Sequence, residues 1–458
     1  MRIVILGAGQ VGGTLAHNLV NEDNDITLID TNESRLRDLQ HRLDIQTVLG
    51  CASHPNVLIA AGIQQADMII AVTNSDEVNM MGCLIAYTLF RTPSKIARIR
   101  SENYYEYPSL FSSDCIPIDV CISPEKLVTD HIVNLIDYPG TTQILDFSDG
   151  RVLLMTIRAH IGDVVTGKTL HEIKQLLESL PTNVIAIFRD KIPITLSDDC
   201  CIMNGDDVSF IVSASAIQAV LVVLDRYAKP NRRIMIAGGG HIGTQLAETL
   251  ESNYRVKIID HNTKSATSLA SHLHKSTVLE GDIGDRDLLL NENIEFTDVF
   301  CAVTNDDEAN IMACLQAKRL GARYAMALVN RDAYVDLINE SSIDYAISPQ
   351  LITIGSILTK LRRGNMIKVH RLQHDEAEAI ELIIHGDEQT SRVIGRRVGD
   401  IKLPPSCMIT AVVRGDQVYI ANPDFILATK DHVILLLLKK RYVRQVESLF
   451  QVNLTFMS

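Results

Sequence analysis

The 458-residue chain contains itself twice. The segment AVTNSDEVNMMGC at 71–83 returns as AVTNDDEANIMAC at 302–314, with nine of thirteen positions identical and an offset of 231. VILGAGQVGGTLAHNL (4–19) matches MIAGGGHIGTQLAETL (235–250) at the same offset, and DITLIDTN (25–32) matches RVKIIDHN (255–262) at 230. Gly50 in VLGCAS falls opposite Gly281 in VLEGDIGD, and CISPEKLV (121–128) answers AISPQLIT (346–353). Each half is a diverged copy of about 230 residues, so whatever architecture folds one half must fold the other.

The repeat runs on past these segments. GKTLHEI (167–173) resembles GRRVGDI (395–401), VIAIFRDKIPI (184–194) resembles ITAVVRGDQVYI (409–420), and Gly205-Asp206-Asp207-Val208 parallels Lys430-Asp431-His432-Val433. The order is large domain, small domain, large domain, small domain. Breaks are expected near Tyr138-Pro139-Gly140, Lys229-Pro230-Asn231 and Arg362-Arg363-Gly364, where Pro, Gly and charge favour linkers. The expected domains are 1–138, 139–228, 231–362 and 366–455.

Within each large domain apolar strands alternate with helices. Residues 2–6, 25–30, 46–49, 67–72 and 95–99 read as strands, and 10–20, 33–43, 55–61 and 76–90 as helices. That alternation implies an α/β fold, a doubly wound Rossmann-like parallel sheet covered on both faces. The small domains, with shorter alternating strands, read as α+β. The longest apolar run, Val433 to Leu438, falls well short of the ~20 residues of a membrane span and reads as a buried strand.

The start, MRIVILGAGQ, lacks the features of a signal peptide, so a cytoplasmic protein is expected. Nine cysteines without a C-x-x-C pair or a cysteine-histidine cluster at metal-ligand spacing read as reduced core thiols. A net charge of −13 argues against a nucleic-acid partner and against direct adsorption to anionic lipid. Membrane association would have to run through another protein.

Gly7, Gly9 and Gly12 follow the first strand and open the first helix. In a G-x-G-x-x-G turn the first glycine permits the tight bend, the second lets backbone approach a pyrophosphate, and the third lets helix pack on strand. The phosphates then sit on unpaired N–H groups at the positive end of the helix. Asp30, 23 residues after Gly7, ends the second strand where a carboxylate accepts from ribose hydroxyls. Gly238, Gly240, Gly243 and Asp260 repeat the pattern. A carboxylate at that place repels a 2′-phosphate, which favours NAD(H) or an adenine nucleotide over NADP(H).

The twice-written stretch begins at the end of a fourth strand, where open α/β sheets bind ligands. Thr73 and Asn74, with Thr304 and Asn305 in the second copy, are expected as ligand contacts. Asn74 with Glu77, and Asn305 with Glu308, also fit an N-x-x-E helix cap. KIARIRSENY (95–104) aligns with AMALVNRDAY (325–334), setting Arg98 and Arg100 against Leu328 and Asn330. Arg98 could reach a phosphate, so the first site should hold a phosphate-rich ligand more tightly than the second. His272 and His274 read as a solvated turn, and Asp198, Asp199, Cys200 and Cys201 as a loop. Binding features without an acid/base group facing a nicotinamide favour a sensor over an enzyme.

IVILGAGQVGGTLA, VTNSDEVNM, IARIRS, RIMIAGGGHIGTQLA and VTNDDEANIM together resemble the regulatory proteins of Trk potassium-uptake systems. That family carries a nucleotide-binding RCK (KTN) domain and a small C-terminal domain, in tandem, and the resemblance covers essentially the whole chain. It implies a peripheral protein on the cytoplasmic face of the inner membrane that gates a separate potassium-conducting Trk subunit in response to NAD(H) or ATP/ADP. It also implies a homo-oligomer, a tetramer whose eight Rossmann domains form a ring. Carried residue by residue, the nucleotide contacts fall on Gly7, Ala8, Gly9, Gln10, Val11, Asp30, Cys51, Thr73, Asn74 and Arg98. In the second half they fall on Gly238, Gly239, Gly240, His241, Ile242, Asp260, Asp282, Thr304 and Asn305. Cys51 departs from the Asp often found after the equivalent glycine, while Asp282 keeps it. The rival readings are an NAD-dependent oxidoreductase with fused regulatory domains, and a nucleotide sensor acting on another cation transporter.

Overall fold

The computed structural model describes residues 1–20, 24–225, 231–339, 341–361, 366–372 and 377–451. The first large domain runs β1 (Arg2–Leu6), α1 (Gln10–Val20), β2 (Asp25–Asp30), α2 (Glu33–Arg42), β3 (Gln46–Leu49) and α3 (Pro55–Ala60). It continues with β4 (Met68–Ala71), α4 (Asp76–Phe90), β5 (Ser94–Arg98), β6 (Val120–Ile122) and α5 (Pro124–Asp137). All five neighbouring pairs in the sheet, ordered β3-β2-β1-β4-β5-β6, are parallel. The order reverses between β1 and β4, which opens a crevice at the carboxyl ends of those two strands. β1 is VIL-rich and buried along its length after Arg2, as a strand covered on both faces requires.

The first small domain holds β7 (Gln143–Phe147), β8 (Val152–Arg158), α6 (Leu170–Leu176), β9 (Thr182–Arg189), β10 (Ile192–Pro193), β11 (Asp207–Ser213) and α7 (Ile217–Val223). The second large domain holds β12 (Arg233–Ala237), α8 (His241–Leu250), β13 (Arg255–Asp260), α9 (Thr263–His272), β14 (Thr277–Glu280) and α10 (Arg286–Asn291). After these come β15 (Val299–Ala302), α11 (Asp307–Arg319), β16 (Tyr324–Leu328), α12 (Asp332–Asn339), β17 (Tyr345–Ile347) and α13 (Pro349–Leu361). Its strand order, β14-β13-β12-β15-β16-β17, copies that of the first sheet. The last domain holds β18 (Met366–Arg371), β19 (Glu378–Ile383), β20 (Cys407–Arg414), β21 (Gln417–Ile420), β22 (His432–Leu437) and α14 (Val443–Phe450).

The two small sheets are antiparallel and share one topology, β10-β9-β11-β8-β7 and β21-β20-β22-β19-β18. The fold is thus two Rossmann-like sheets, each followed in the chain by a small α+β domain. In space, like gathers with like. One compact unit joins Met1–Asp130, Met235–Ser252 and Val256–Ile357, which carry most of both parallel sheets, and the remaining described residues belong to the other. The expected break at Arg362-Arg363-Gly364 lies outside the described residues, as do Lys229 and Pro230.

Within the second unit, alternation along single strands builds two layers of core. Leu153, Met155 and Ile157 of β8 pack beneath the helices of their own domain. Val152 and Leu154, pointing the other way, join Ala379, Ala411, Ile434 and Leu436 of the other small domain. The same holds for β22, where Val433, Leu435 and Leu437 face their own domain's core. The apolar run ending at Leu438 is continuous because its strand is buried on both faces. Polar anchors cross this layer: the fully buried Glu381 carboxylate accepts from Ser148 N–H and hydroxyl, each at 2.9 Å, and lies 2.7 Å from His432 Nδ1.

Candidate functional site

The glycine turns divide by cause. Gly7 and Gly238 have φ of +104° and +113°, which side-chain-bearing residues rarely adopt. A Cβ added at Gly12 would lie 1.9 Å from the Gly7 carbonyl oxygen, and one at Gly243 would lie 1.9 Å from that of Gly238. Four glycines are therefore demanded by the chain's own geometry. Gly9 and Gly240 are not, because a Cβ at either would meet nothing within 4 Å.

Asp30 and Asp260 turn out to hold these turns. Asp30 accepts from Ala8 N–H at 2.6 Å and from Asn32 N–H at 2.7 Å. Asp260 accepts from Gly239 N–H at 2.8 Å, Asn262 N–H at 2.7 Å and the Ser265 hydroxyl at 3.2 Å. Each carboxylate thus pins its glycine turn to the end of the second strand. Ala8 is buried behind the turn, and Gly239 is packed so tightly that a Cβ would come within 2.4 Å of Leu269.

The twice-written stretch works as a latch. Asn79 and Asn310 are fully buried. Asn79 Oδ1 accepts from Thr73 N–H at 2.9 Å and from the Thr73 hydroxyl at 2.7 Å, while its amide donates to Arg98 O at 2.8 Å. Asn310 does the same for Thr304, at 3.0 and 2.6 Å, and for Leu328 O at 2.9 Å. Asp76 adds a second tie by accepting from Arg100 and Ser101 N–H, each at 2.9 Å, and Asp307 accepts likewise from Asn330 and Arg331 N–H. The helix caps differ from the N-x-x-E expectation. Ser75 and Asp306, each one residue later, accept from Val78 and Ala309 N–H and cap α4 and α11. Asn74 and Asn305 are left exposed at the strand ends, because an N-cap must lie immediately before the first helical residue.

These elements frame a cavity of about 560 Å³ at the reversal point of the first sheet. Gly7, Gly9, Gln10, Val11, Asp30, Cys51, Thr73, Asn74 and Arg98 all line it, so nine of the ten first-half candidates come together there. Arg98 is half-buried, and its Nε is a buried donor with no hydrogen-bond partner. Burial, reinforced by the Arg100 charge, lowers its pKa from the ordinary arginine value. The Cys51 thiol lies 3.2 Å from the Ser53 hydroxyl, whose hydrogen bond holds its pKa below the ordinary thiol value.

In the second half, His241 opens α8 and Ile242 follows it, and Asp282 accepts from Gly284 N–H at 2.8 Å within its own turn. Leu328 stands buried where the first copy has Arg98. Residues beyond the sequence expectation also line the first cavity: Arg35 from α2, and Asn330, Pro349, Gln350 and Thr353 from the second large domain. The identity of Asn79 and Asn310 across the repeat was a visible signal of a shared task. For Gln350 no local signal exists, since it arrives from another domain.

The TrkA-N domain model matches residues 3–124 and again 234–349, the two segments that carry the glycine turns and latches, and the TrkA-C domain model matches 388–451. The chain belongs to the TrkA family. It is 51% identical to the Trk system potassium uptake protein TrkA of Halomonas elongata, with 100% of both chains covered. It is 49% and 43% identical to the proteins of that name from Vibrio alginolyticus and Haemophilus influenzae, again over 100% of each. Among solved structures, the GsuK RCK domain covers 98% of this chain and 94% of its own at a TM-score of 0.62 and 19% identity. The GsuK channel bound to NAD aligns at a TM-score of 0.61 and 20% identity, covering 98% of this chain and 78% of its own. These likenesses establish the RCK fold for the TrkA-family chain. Among the described residues, no helix is long and apolar enough to cross a membrane.

Proposed function

We propose that this chain is the nucleotide-binding regulatory subunit of a Trk-type potassium uptake system, and not an enzyme. The observation that carries the reading is the first cavity. Its middle glycine, Gly9, has no packing reason to be glycine, and its wall presents the unpartnered Nε of Arg98. Both suit a pyrophosphate laid against backbone N–H groups at the start of α1. The family names of the relatives and the NAD-bound state of the GsuK channel point the same way.

In this reading NAD(H) is the principal ligand and ATP or ADP a competing one. Gly7 to Val11, Asp30, Cys51, Thr73, Asn74 and Arg98 serve the first site. Gly238 to Ile242, Asp260, Asp282, Thr304 and Asn305 serve the second. The four domains run 1–138, 139–228, 231–362 and 366–455. Four chains assemble a ring of eight Rossmann domains against the potassium-conducting Trk subunit, on the cytoplasmic face of the inner membrane. Ligands act on the pore by binding two ring states with different affinity, since equal binding shifts nothing.

Calorimetric titration of the full chain with NADH, NAD⁺, ATP and ADP tests this, with Arg98→Gln as the variant. Binding without turnover of NADH, weakened about tenfold by Arg98→Gln, is the expected result. No binding, or consumption of NADH, would sink the reading. Asp30→Ala is the poorer probe, because it also releases Ala8 and Asn32 from the glycine turn.

A further inference from the structure

The walls of the first cavity come from two domains. Gln350, only 8% exposed, opens α13 in the second large domain. Its amide donates to the Thr14 hydroxyl at 2.6 Å and reaches Gln10 O at 3.4 Å. Gln10 and Thr14 stand in the opening turns of α1, whose free N–H groups begin at the glycine turn. The second domain is thus bonded to the helix end that the proposed ligand would use.

The repeat supplies a natural comparison. Pro124-Glu125 stands at the start of α5 where Pro349-Gln350 stands at the start of α13. Glu125 lines a cavity of about 610 Å³ against α8 of the second domain, with Arg100, His241 and Thr244. The helix pairing is the same with roles exchanged: Thr129 of α5 donates to Gln245 of α8 at 3.2 Å, and Gln245 is the counterpart of Thr14. The charges differ. The second cavity, which lies off the second glycine turn, gathers Asp76, Glu77, Glu102, Glu125 and Glu248 about Arg100. The first sets Arg35 and Arg98 against Asp30. At the position the repeat equates, the first half has a carboxylate, paired with Arg100 at 2.8 Å, and the second half an amide.

We propose that Gln350 is a specificity-determining residue of the first site, supplied by the other nucleotide domain, and that its neutral amide lets that crevice accept the extra phosphate charge of a nucleoside triphosphate. The proposal rests on the first cavity being a nucleotide site. A carboxylate there would stand beside the α1 helix end and repel the more highly charged ligand more strongly. A lysine would do the reverse. Because the residue belongs to the second domain, the preference also depends on the packing of the two large domains.

The test is calorimetric titration of the full chain with ATP and with NADH, for wild type, Gln350→Glu and Gln350→Lys, with melting temperatures alongside. Gln350→Glu should weaken ATP about tenfold and NADH by less than about threefold, and Gln350→Lys should move the ATP-to-NADH preference the other way. Where only one variant folds, the sign of its shift decides. A preference that stays put in a folded variant, while wild type binds both ligands, overturns the role of Gln350 alone. Wild type that binds neither ligand overturns the nucleotide reading and this proposal with it.

Discussion

The Asn79 side-chain amide donates to the main-chain carbonyl of Arg98 at 2.8 Å. One buried side chain thereby ties the end of β4, through Thr73, to the end of β5, from which the Arg98 side chain departs. Asn79→Ala leaves Thr73 N–H, the Thr73 hydroxyl and Arg98 O without this partner, and should cost about 3 kcal/mol. Chemical denaturation of the full chain measures this. A loss below about 1 kcal/mol would mean that water replaces the amide and the latch is weak.

Gly9→Ala and Gly12→Ala should separate binding from folding. Gly12→Ala forces a Cβ into the 1.9 Å gap to Gly7 O and should lower stability by about 3 kcal/mol or more. Gly9→Ala meets nothing within 4 Å and should leave the melting temperature unchanged while nucleotide affinity falls about tenfold or more. Unchanged affinity in Gly9→Ala would remove the main support for a pyrophosphate at this turn.

Each small domain buries a carboxylate against an arginine at the equivalent place of the repeat. Asp206 takes both arms of Arg189 at 2.8 and 2.7 Å, and Asp431 takes Arg414 at 2.8 Å twice. Asp206→Ala and Asp431→Ala each also orphan a loop N–H, that of Met203 or Ala428, and should each cost about 3 kcal/mol. Thermal melts of the two variants should fall together. A large loss in one and none in the other would break the equivalence of the repeats.

Mild acid should weaken the chain through one buried histidine. Burial pushes the His131 pKa down from 6.5 to about 4. Between those values the unfolded state binds a proton that the folded state refuses, so stability is full above about pH 6.5 and is lost as pH falls towards 4. His131→Gln should flatten the fall in melting temperature over that window. An unchanged slope would assign the acid response to other groups.

How much of this was legible differs from residue to residue. The glycine turn, the acidic end of the second strand and the alternation of apolar strands with helices are local patterns, and each was readable from spacing. Asn79 was visible as an identity across the repeat but carried no local chemistry, because its partners Thr73 and Arg98 lie 6 and 19 positions away. The expected cap at Asn74 failed by one residue, since Ser75 is an equally good cap and only the helix start discriminates between them.

The sequence by itself determined that this chain folds as two copies of one plan, because a repeat constrains both halves through the same short-range geometry. It also marked the glycines, whose demands come from backbone torsion and near contacts. Only the tertiary structure decided that the two large domains gather in one unit and the two small ones in the other. It alone placed Gln350, 336 positions away in the chain, against Thr14. Such contacts depend on which faces the folded domains bury against each other, and no spacing along the chain encodes that choice.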